Sequence, residues 1–439
     1  MDFDVVVVGA GPAGLAAACA AAESGQSVAV LDENPWLGGQ IWGGEKAKLC
    51  NAAAQRWFDR FKKSRVVLLS QTAVIAAPEN GLLLAEQNGE PCQVRWRRLI
   101  LATGARELFL PFPGWTLPGV AGPGGLQNLA KHGWPISGQR VVVAGSGPLL
   151  LAVANGLRRY GARVLAVVEQ TPYSKLLRFG LGLYRHPAKL WQGARLKLGL
   201  TGVPYRCGAW PLKAEGNDRV QQVTLTDGTR TWTMPCDYVA CGFGLVPNVE
   251  LPLLLGCELG EGFTRVDAEQ ATTVPNVYCA GEPTGIGGAD CASTEGQIAG
   301  YAATGHAQRA ERLFSARSSW HQFRRALAEA FALRPELKTL ANDSTVLCRC
   351  EDVTLGQMRK YQGWREAKLH TRCGMGACQG RTCGVAAKAL LGWGMESVRP
   401  PVLPARVQSL ISETVCNDSK ASPLLATAAP TPSPALAQR

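Results

Sequence analysis

The chain has 439 residues, of which 46% are hydrophobic and 18% charged, so it is too long for one ordinary domain and can bury several cores. It carries a formal charge of +12 and a pI near 9.1. Most of its 46 basic residues are scattered arginines, with no block of cations, which argues against a nucleic-acid partner. No apolar run reaches the ~18 residues of a transmembrane helix, and Gly9, Gly11 and Gly14 interrupt what would be the apolar core of a signal peptide. A cytoplasmic protein is expected, whose 15 cysteines are mostly reduced thiols.

Residues 4 to 33 read strand, glycine turn, helix, strand. Val5 to Val8 form the first strand and Ala13 to Ser24 the helix. Gly25 closes the helix, and Ser27 to Leu31 form the second strand. Between strand and helix stands Gly9-Ala10-Gly11-Pro12-Ala13-Gly14. In such a motif the first glycine makes the tight turn, the second lets the backbone approach a pyrophosphate, and the third lets the helix pack on the strand. The helix N-terminus then offers its unpaired N–H groups and positive dipole end to the phosphates. Asp32 ends the second strand, where a carboxylate accepts hydrogen bonds from ribose hydroxyls, and Glu33 beside it can share that task. A bound dinucleotide is expected.

Three further segments carry a resemblance: Gly38-Gly39-Gln40-Ile41, Leu101-Ala102-Thr103-Gly104-Ala105 and Val277-Tyr278-Cys279-Ala280-Gly281-Glu282. With the first glycine motif they resemble the FAD-contacting motifs of two-dinucleotide-fold flavoproteins. The resemblance implies FAD as the first nucleotide, contacted by the first glycine motif, Asp32, Glu33, Gly39, Gln40, Ala102, Thr103, Gly104, Gly281 and Glu282. The last pair is usually Gly-Asp in that superfamily; Glu282 adds one methylene.

Residues 139 to 169 repeat the first pattern, with a strand from Arg140 to Ala144, a helix ending near Tyr160, and a strand from Arg163 to Val168. Gly145-Ser146-Gly147-Pro148-Leu149-Leu150 sits where the superfamily binds NAD(P)H. Leu150 replaces the third glycine. By matching spacing Val168 falls where Asp32 falls in the first unit, and Glu169 aligns with Glu33. Binding of NAD(P)H, binding of another adenine nucleotide at Gly145 and Gly147, and a fold retained without a ligand all stay open. No cysteine stands close to Cys50, and no CxxC occurs in the second unit, so a dithiol mechanism is not expected.

The expected fold is therefore α/β: two Rossmann-like dinucleotide-binding domains and a small helical C-terminal domain. The first FAD-binding part spans 1–115, the NAD(P)-like domain 116–244 and the second FAD-binding part 245–303. An amphipathic helical linker with Trp320, Phe323, Leu327 and Phe331 spans 304–344. A cysteine-rich domain covers 345–410, and an Ala-, Pro- and Ser-rich tail, expected to be disordered, covers 411–439.

Ten cysteines are scattered singly and read as small buried hydrophobes; five crowd into 348–383. Cys348-Arg-Cys350 and Cys378-Gln-Gly-Arg-Thr-Cys383 form two close pairs, with Cys373 just before the second. Thiolates are soft ligands, and four of them suit a tetrahedral zinc or a [2Fe–2S] cluster. CxC is rarer than CxxC in structural zinc sites, which favours iron–sulfur. Thr345 to Gly384 resembles the bacterioferritin-associated-ferredoxin-type (BFD-like) [2Fe–2S] domain. That domain ends the A-type subunits of opine oxidases, the homologous component of hydrogen cyanide synthase, and related components of proline or hydroxyproline dehydrogenases. The resemblance places the metal ligands at Cys348, Cys350, Cys378 and Cys383, with Cys373 spare. Arg349, Lys368, Arg372 and Arg381 flank them and read either as cations that raise the cluster potential or as a solvated basic face.

The resemblance implies an electron-transfer subunit of a heteromeric amine or imino-acid dehydrogenase. A D-amino-acid-oxidase-like partner would oxidise the C–N bond of an opine, glycine, proline or hydroxyproline type substrate. A small ferredoxin-like partner and a quinone or respiratory-chain acceptor would complete the chain, with membrane association only through partners. No acid–base residue is implied, and His132, His186, His306, His321 and His370 read as structural. The alternatives are a self-sufficient NAD(P)H-dependent reductase and a zinc-binding scaffold.

Overall fold

The computed structural model describes residues 1–43, 52–394 and 398–411; Cys50 and all of the expected 411–439 tail after its first residue lie outside them. The valine run expected as a strand forms β1 (Asp2–Val8), with Val5 to Val7 shielded on both faces, as a central parallel strand requires. β1 pairs in parallel with β2 (Val28–Leu31) on one side and with β3 (Glu90–Leu101) on the other; Val8 stands opposite both Leu31 and Leu101. Val67–Leu69 extends this seven-stranded sheet beyond β2, and Leu82–Gln87 and Thr72–Glu79 extend it antiparallel beyond β3. Val277–Cys279, from much later in the chain, joins in parallel at the C-terminal end of β3. The first unit is thus closed by chain that has already built the second.

α1 (Pro12–Ala22) follows β1 and is buried from Pro12 to Ala21. It stops two residues short of the expected end because the Ser24 and Gly25 amides turn back to the carbonyls of Ala21 and Ala22, and Gly25 enters the left-handed region at φ +78°.

The second sheet has five parallel strands. β4 (Arg140–Gly145) lies at its centre, and α2 (Leu149–Arg159) leads to β5 (Arg163–Glu169); β6 (Tyr238–Gly242) pairs on the other side of β4. Helices Tyr173–Gly182 and Pro187–Leu198 form an excursion after β5 in which no residue is buried. An antiparallel meander, Trp210–Glu215, Gln222–Thr226 and Thr231–Pro235, returns the chain to β6. The two crossings between the sheets, Ala105–Glu107 outward and Leu245–Pro247 back, pair antiparallel with each other, so the units are joined by a two-stranded hinge.

α3 (Gly288–Ala303) lies against α1 at backbone distance. A Cβ on Gly296 would stand 2.1 Å from the Ala13 carbonyl oxygen, and one on Gly300 2.4 Å from that of Ala17. The helical linker is broken rather than continuous: a short helix at Ala307–Glu311 precedes α4 (Phe314–Ala330), and after Arg334, held extended ahead of proline, a tight turn follows at Pro335–Thr339. The apolar stripe of α4 is half-buried; Trp320 stacks on His186 and Phe323 packs on Phe179, both from the excursion.

The cysteine-rich segment folds as the hairpin Val346–Cys348/Val353–Thr354 followed by α5 (Trp364–Thr371) and α6 (Cys383–Leu391), around Leu347, Met358, Trp364 and Ala386. Trp115 ties it to the body by donating its indole N–H to the Val346 carbonyl at 2.6 Å. Among the described residues no helix is long and apolar enough to cross a membrane.

Candidate nucleotide cleft and cysteine centre

A cleft of about 2190 Å³ opens along the carboxyl ends of the parallel strands of both sheets, the edge at which such strands bind their ligands. Each glycine of the first motif meets its expected constraint. Gly9, at φ +106°, lies so close to β3 that a Cβ would stand 2.2 Å from the Ala102 carbonyl oxygen. A Cβ on Gly14 would collide with the Gly9 carbonyl oxygen at 1.7 Å, so the helix can pack on the strand only without one. A Cβ on Gly11 would meet nothing within 4 Å, because that face opens into the cleft. Gly11, Pro12 and Ala13 line the wall, so the unpaired N–H groups of the first turn of α1 face the space where a pyrophosphate fits. Gly39, at φ +57°, rests on this turn, its absent Cβ only 3.0 Å from Gly11 Cα, and Gln40 continues the wall. These residues fit the dinucleotide.

Asp32 is 7% exposed and already engaged. Its Oδ2 accepts from the Ala10 amide at 2.5 Å, and its Oδ1 accepts from the Asn34 amide and side chain, each at 2.8 Å. It locks the glycine turn, and it lines the cleft with an acceptor position left on Oδ2. Glu33 is exposed and opens into the cleft; the partial desolvation of the cleft shifts its carboxyl above the ordinary range. The Asp32 charge adds to this shift and Arg381 opposes it.

Ala102 continues β3 through a bond to the Val8 carbonyl. The Thr103 hydroxyl donates to the Asn248 carbonyl at 2.6 Å, and the Asn248 side chain donates to the Thr103 carbonyl at 2.8 Å. The Gly104 carbonyl accepts the Asn248 amide. Ala102-Thr103-Gly104 is thus fastened to the residue that follows the returning crossing. Sequence reasoning passed over Asn248; its only signal is the Gly-Leu-Val-Pro-Asn run after β6.

Gly281 takes φ +84°, ψ −147°, a conformation open only to glycine. The Glu282 carboxylate curls back to accept from the Gly287 and Gly288 amides at 3.2 and 3.0 Å, which is what its extra methylene permits. Burial pushes its carboxyl up to about 7. Behind it lies Glu295, 1% exposed and also missed in the sequence, since a helix-interior Glu carries no motif. One Glu295 oxygen accepts from the Gly281 amide and the Thr284 hydroxyl, both at 2.9 Å; the other lies 2.8 Å from His321 Nε2 and 3.7 Å from Arg324. His321 thus bonds the carboxylate that supports this turn.

In the second unit Gly145 and Gly147 keep positive φ values of +135° and +101°. The acid alignment read from spacing is wrong by one residue. A bulge at Leu165 shifts the register of β5 on β4, so Glu169, not Val168, ends opposite Gly145. Glu169 is fully buried; its Oε2 accepts from the Gly147 amide and its Oε1 from the Thr171 amide, the pattern Asp32 makes in the first unit. Burial pushes its carboxyl up to about 7. Leu150 causes no crowding: it packs into the core between α2 and the sheet with Val141, Val143 and Leu126.

The structure brings Cys348, Cys350, Cys378 and Cys383 together, and Cys373 with them. Cys348 and Cys383 contact each other, Cys383 contacts Cys378, and Cys378 contacts Cys350. Five thiols in one cluster fit a soft-metal centre and hardly fit a set of unconnected hydrophobes. Of the flanking cations, Arg372 is paired with Glu351 at 2.9 Å and is no free charge. Arg381 lines the cleft, and its carbonyl accepts from Arg106 Nε at 3.1 Å. Of the scattered cysteines, Cys19, Cys236, Cys241, Cys257, Cys279 and Cys291 are free and buried, whereas Cys207 is half-buried and Cys92 is disulfide-bonded.

Residues 3–296 match the family described as pyridine nucleotide-disulphide oxidoreductase. The chain is 31% identical to the hydrogen cyanide synthase subunit HcnB of Pseudomonas aeruginosa over 87% of its own length and 91% of that protein. It is likewise 31% identical to the A-type subunit of opine oxidase from Rhizobium meliloti (strain 1021), over 92% and 97%. Among solved structures it shares its fold with L-proline dehydrogenase from P. horikoshii, with a TM-score of 0.68 at 20% identity over 94% of this chain and 80% of that one.

Proposed function

Since the chain belongs to the pyridine nucleotide-disulphide oxidoreductases, and within them groups with the A-type opine oxidase and hydrogen cyanide synthase subunits, we propose that it is the electron-transfer subunit of a heteromeric amino-acid or opine dehydrogenase. Its partner is a D-amino-acid-oxidase-like protein that oxidises a C–N bond of an opine, glycine, proline or hydroxyproline type substrate. A small ferredoxin-like partner and a quinone or respiratory-chain acceptor complete the path, on the cytoplasmic side. FAD held in the cleft would supply the exchange between two-electron and one-electron chemistry, and a [2Fe–2S] cluster held by the cysteines would supply one-electron transfer.

The observation that carries this reading is the shared wall between the two sites. Arg381 lies between Cys378 and Cys383 in sequence and lines the nucleotide cleft in space, and Arg106 holds its carbonyl in place. In this reading Gly9, Gly11 and the first turn of α1 bind the pyrophosphate, and Glu282 and Glu295 fix the Gly281 turn. Asn248 fastens Thr103 against the crossing. The cysteines hold the iron.

The test is anaerobic purification followed by cofactor analysis. The expected result is flavin with absorbance near 450 nm, a shoulder beyond 500 nm (the rough range of thiolate-bound iron), iron and acid-labile sulfide. A colourless protein holding zinc would instead establish the scaffold reading. Glu169 in the place of Asp32 gives the NAD(P)H-reductase reading its one support. Flavin bleaching on mixing the isolated chain with NADH would establish that second reading.

A further inference from the structure

Cys373 is not where a spare residue belongs. It is fully buried, and its sulfur forms a mutual group with those of Cys348 and Cys383, all within 4.8 Å of one another. Cys350, one of the four residues at ligand spacing, is instead the exposed member, held on the outer side against Cys378. The local chain directs Cys373 inward. α5 ends at Arg372, which takes φ +66° and is held there by Glu351, and the Cys373 amide then bonds back to the Thr371 hydroxyl at 3.2 Å. The turn that follows lies on Cys350, since a Cβ on Gly376 would stand 2.3 Å from Cys350 Cβ. The inner cysteine lies with Cys348 and Cys383, the outer one lies against Cys378, and both adjoin the same short segment.

We propose that the centre is a five-thiol cage, in which Cys373 is a working iron ligand that can replace Cys350. This rests on the iron–sulfur reading above. A [2Fe–2S] cluster takes four thiolates, and Cys348, Cys378 and Cys383 serve in both arrangements. In the exchange the Cys373 thiol gives its proton to solvent as its sulfur bonds iron. The Cys350–iron bond breaks and the released thiolate takes up a proton, so charge and oxidation state are unchanged. The inner arrangement withdraws the cluster from water and the outer one exposes it.

The full-length chain is reconstituted anaerobically with ferrous iron and sulfide, and iron, acid-labile sulfide and the EPR spectrum after dithionite reduction are measured for the wild type, C350S, C373S and C350S/C373S. C348S serves as the control expected to lose the cluster, and circular dichroism checks the fold. The expected result is about two irons per chain in the wild type and in each single variant, a C350S spectrum with altered g values, and at least a tenfold loss of iron in the double variant. If C350S is as empty as the double variant while remaining folded, Cys350 is obligatory and the exchange is refuted. If the double variant keeps its cluster, neither residue is a ligand and the proposal also fails. A wild type that takes up no iron removes the iron–sulfur reading itself, a separate outcome.

Discussion

Gly9 and Gly11 stand two residues apart and do different physical work. Gly9 faces a wall and Gly11 faces the cleft. Gly9→Ala must move the Ala102 carbonyl and adopt a positive φ, at a cost of about 1–3 kcal/mol. Gly11→Ala adds a Cβ that meets no protein atom within 4 Å and should leave the flavin-free protein as stable as the wild type while lowering flavin retention. Denaturant titration of the flavin-free proteins and the flavin-to-protein ratio separate the two; equal destabilisation by both would refute the assignment. Glu169 makes a second prediction. Its folded carboxyl, near 7, lies above the ordinary 4.5, so its contribution to stability is complete below about pH 4.5 and is lost as the pH rises through 7. Glu169→Gln has no such loss. Relative to the wild type it should gain about 3 kcal/mol between pH 4 and 8, read from denaturation midpoints at each pH. A difference independent of pH would show that the folded Glu169 carboxyl titrates at its ordinary value.

At the scale of elements, the α1–α3 contact sets the position of the phosphate wall. Both helices are built from small residues where they meet, and Gly296 and Gly300 let α3 rest on the α1 backbone. Gly296→Val would push its side chain into the Ala13 carbonyl, one residue from the turn that lines the cleft. The expected cost is about 1–3 kcal/mol, with lowered flavin content because the N-terminus of α1 moves. Unchanged flavin content in a destabilised variant would mean that the helix absorbs the shift away from its first turn. The one-residue bulge in β5 acts at the same scale: it changes no residue type, yet it decides which acid reaches Gly145 and Gly147.

For the whole molecule, Arg106 is where three parts of the chain meet. Set in the outgoing crossing, it pairs with Glu250 at 2.8 Å and Asn248 at 2.7 Å beyond the returning one, and donates to Arg381 in the cysteine segment at 3.1 Å. Arg106→Ala leaves the half-buried Glu250 without its cation, at a cost of about 1–3 kcal/mol. It should also uncouple the cysteine segment from the cleft. Calorimetry is expected to show one unfolding transition in the wild type and two in the variant. A single transition merely shifted downward would mean that Trp115 and the remaining contacts suffice to couple the parts.

The sequence by itself determined the two βαβ units, the cleft-facing glycines and the crowding of five cysteines, because each is a local pattern: a turn that only glycine allows, a helix period, a short thiol spacing. It also carried the family likeness through the Ala102-Thr103-Gly104 and Gly281-Glu282 segments. The partners of these segments were not legible. Glu295 reaches Gly281 from a helix turned toward it, Asn248 reaches Thr103 from far along the chain, and no local pattern records such approaches. The Glu169 register and the inward place of Cys373 were likewise decided only in the tertiary structure. A bulge in β5 displaced the first by one residue, and a left-handed turn at Arg372 aimed the second, and residue spacing counts positions without registering direction.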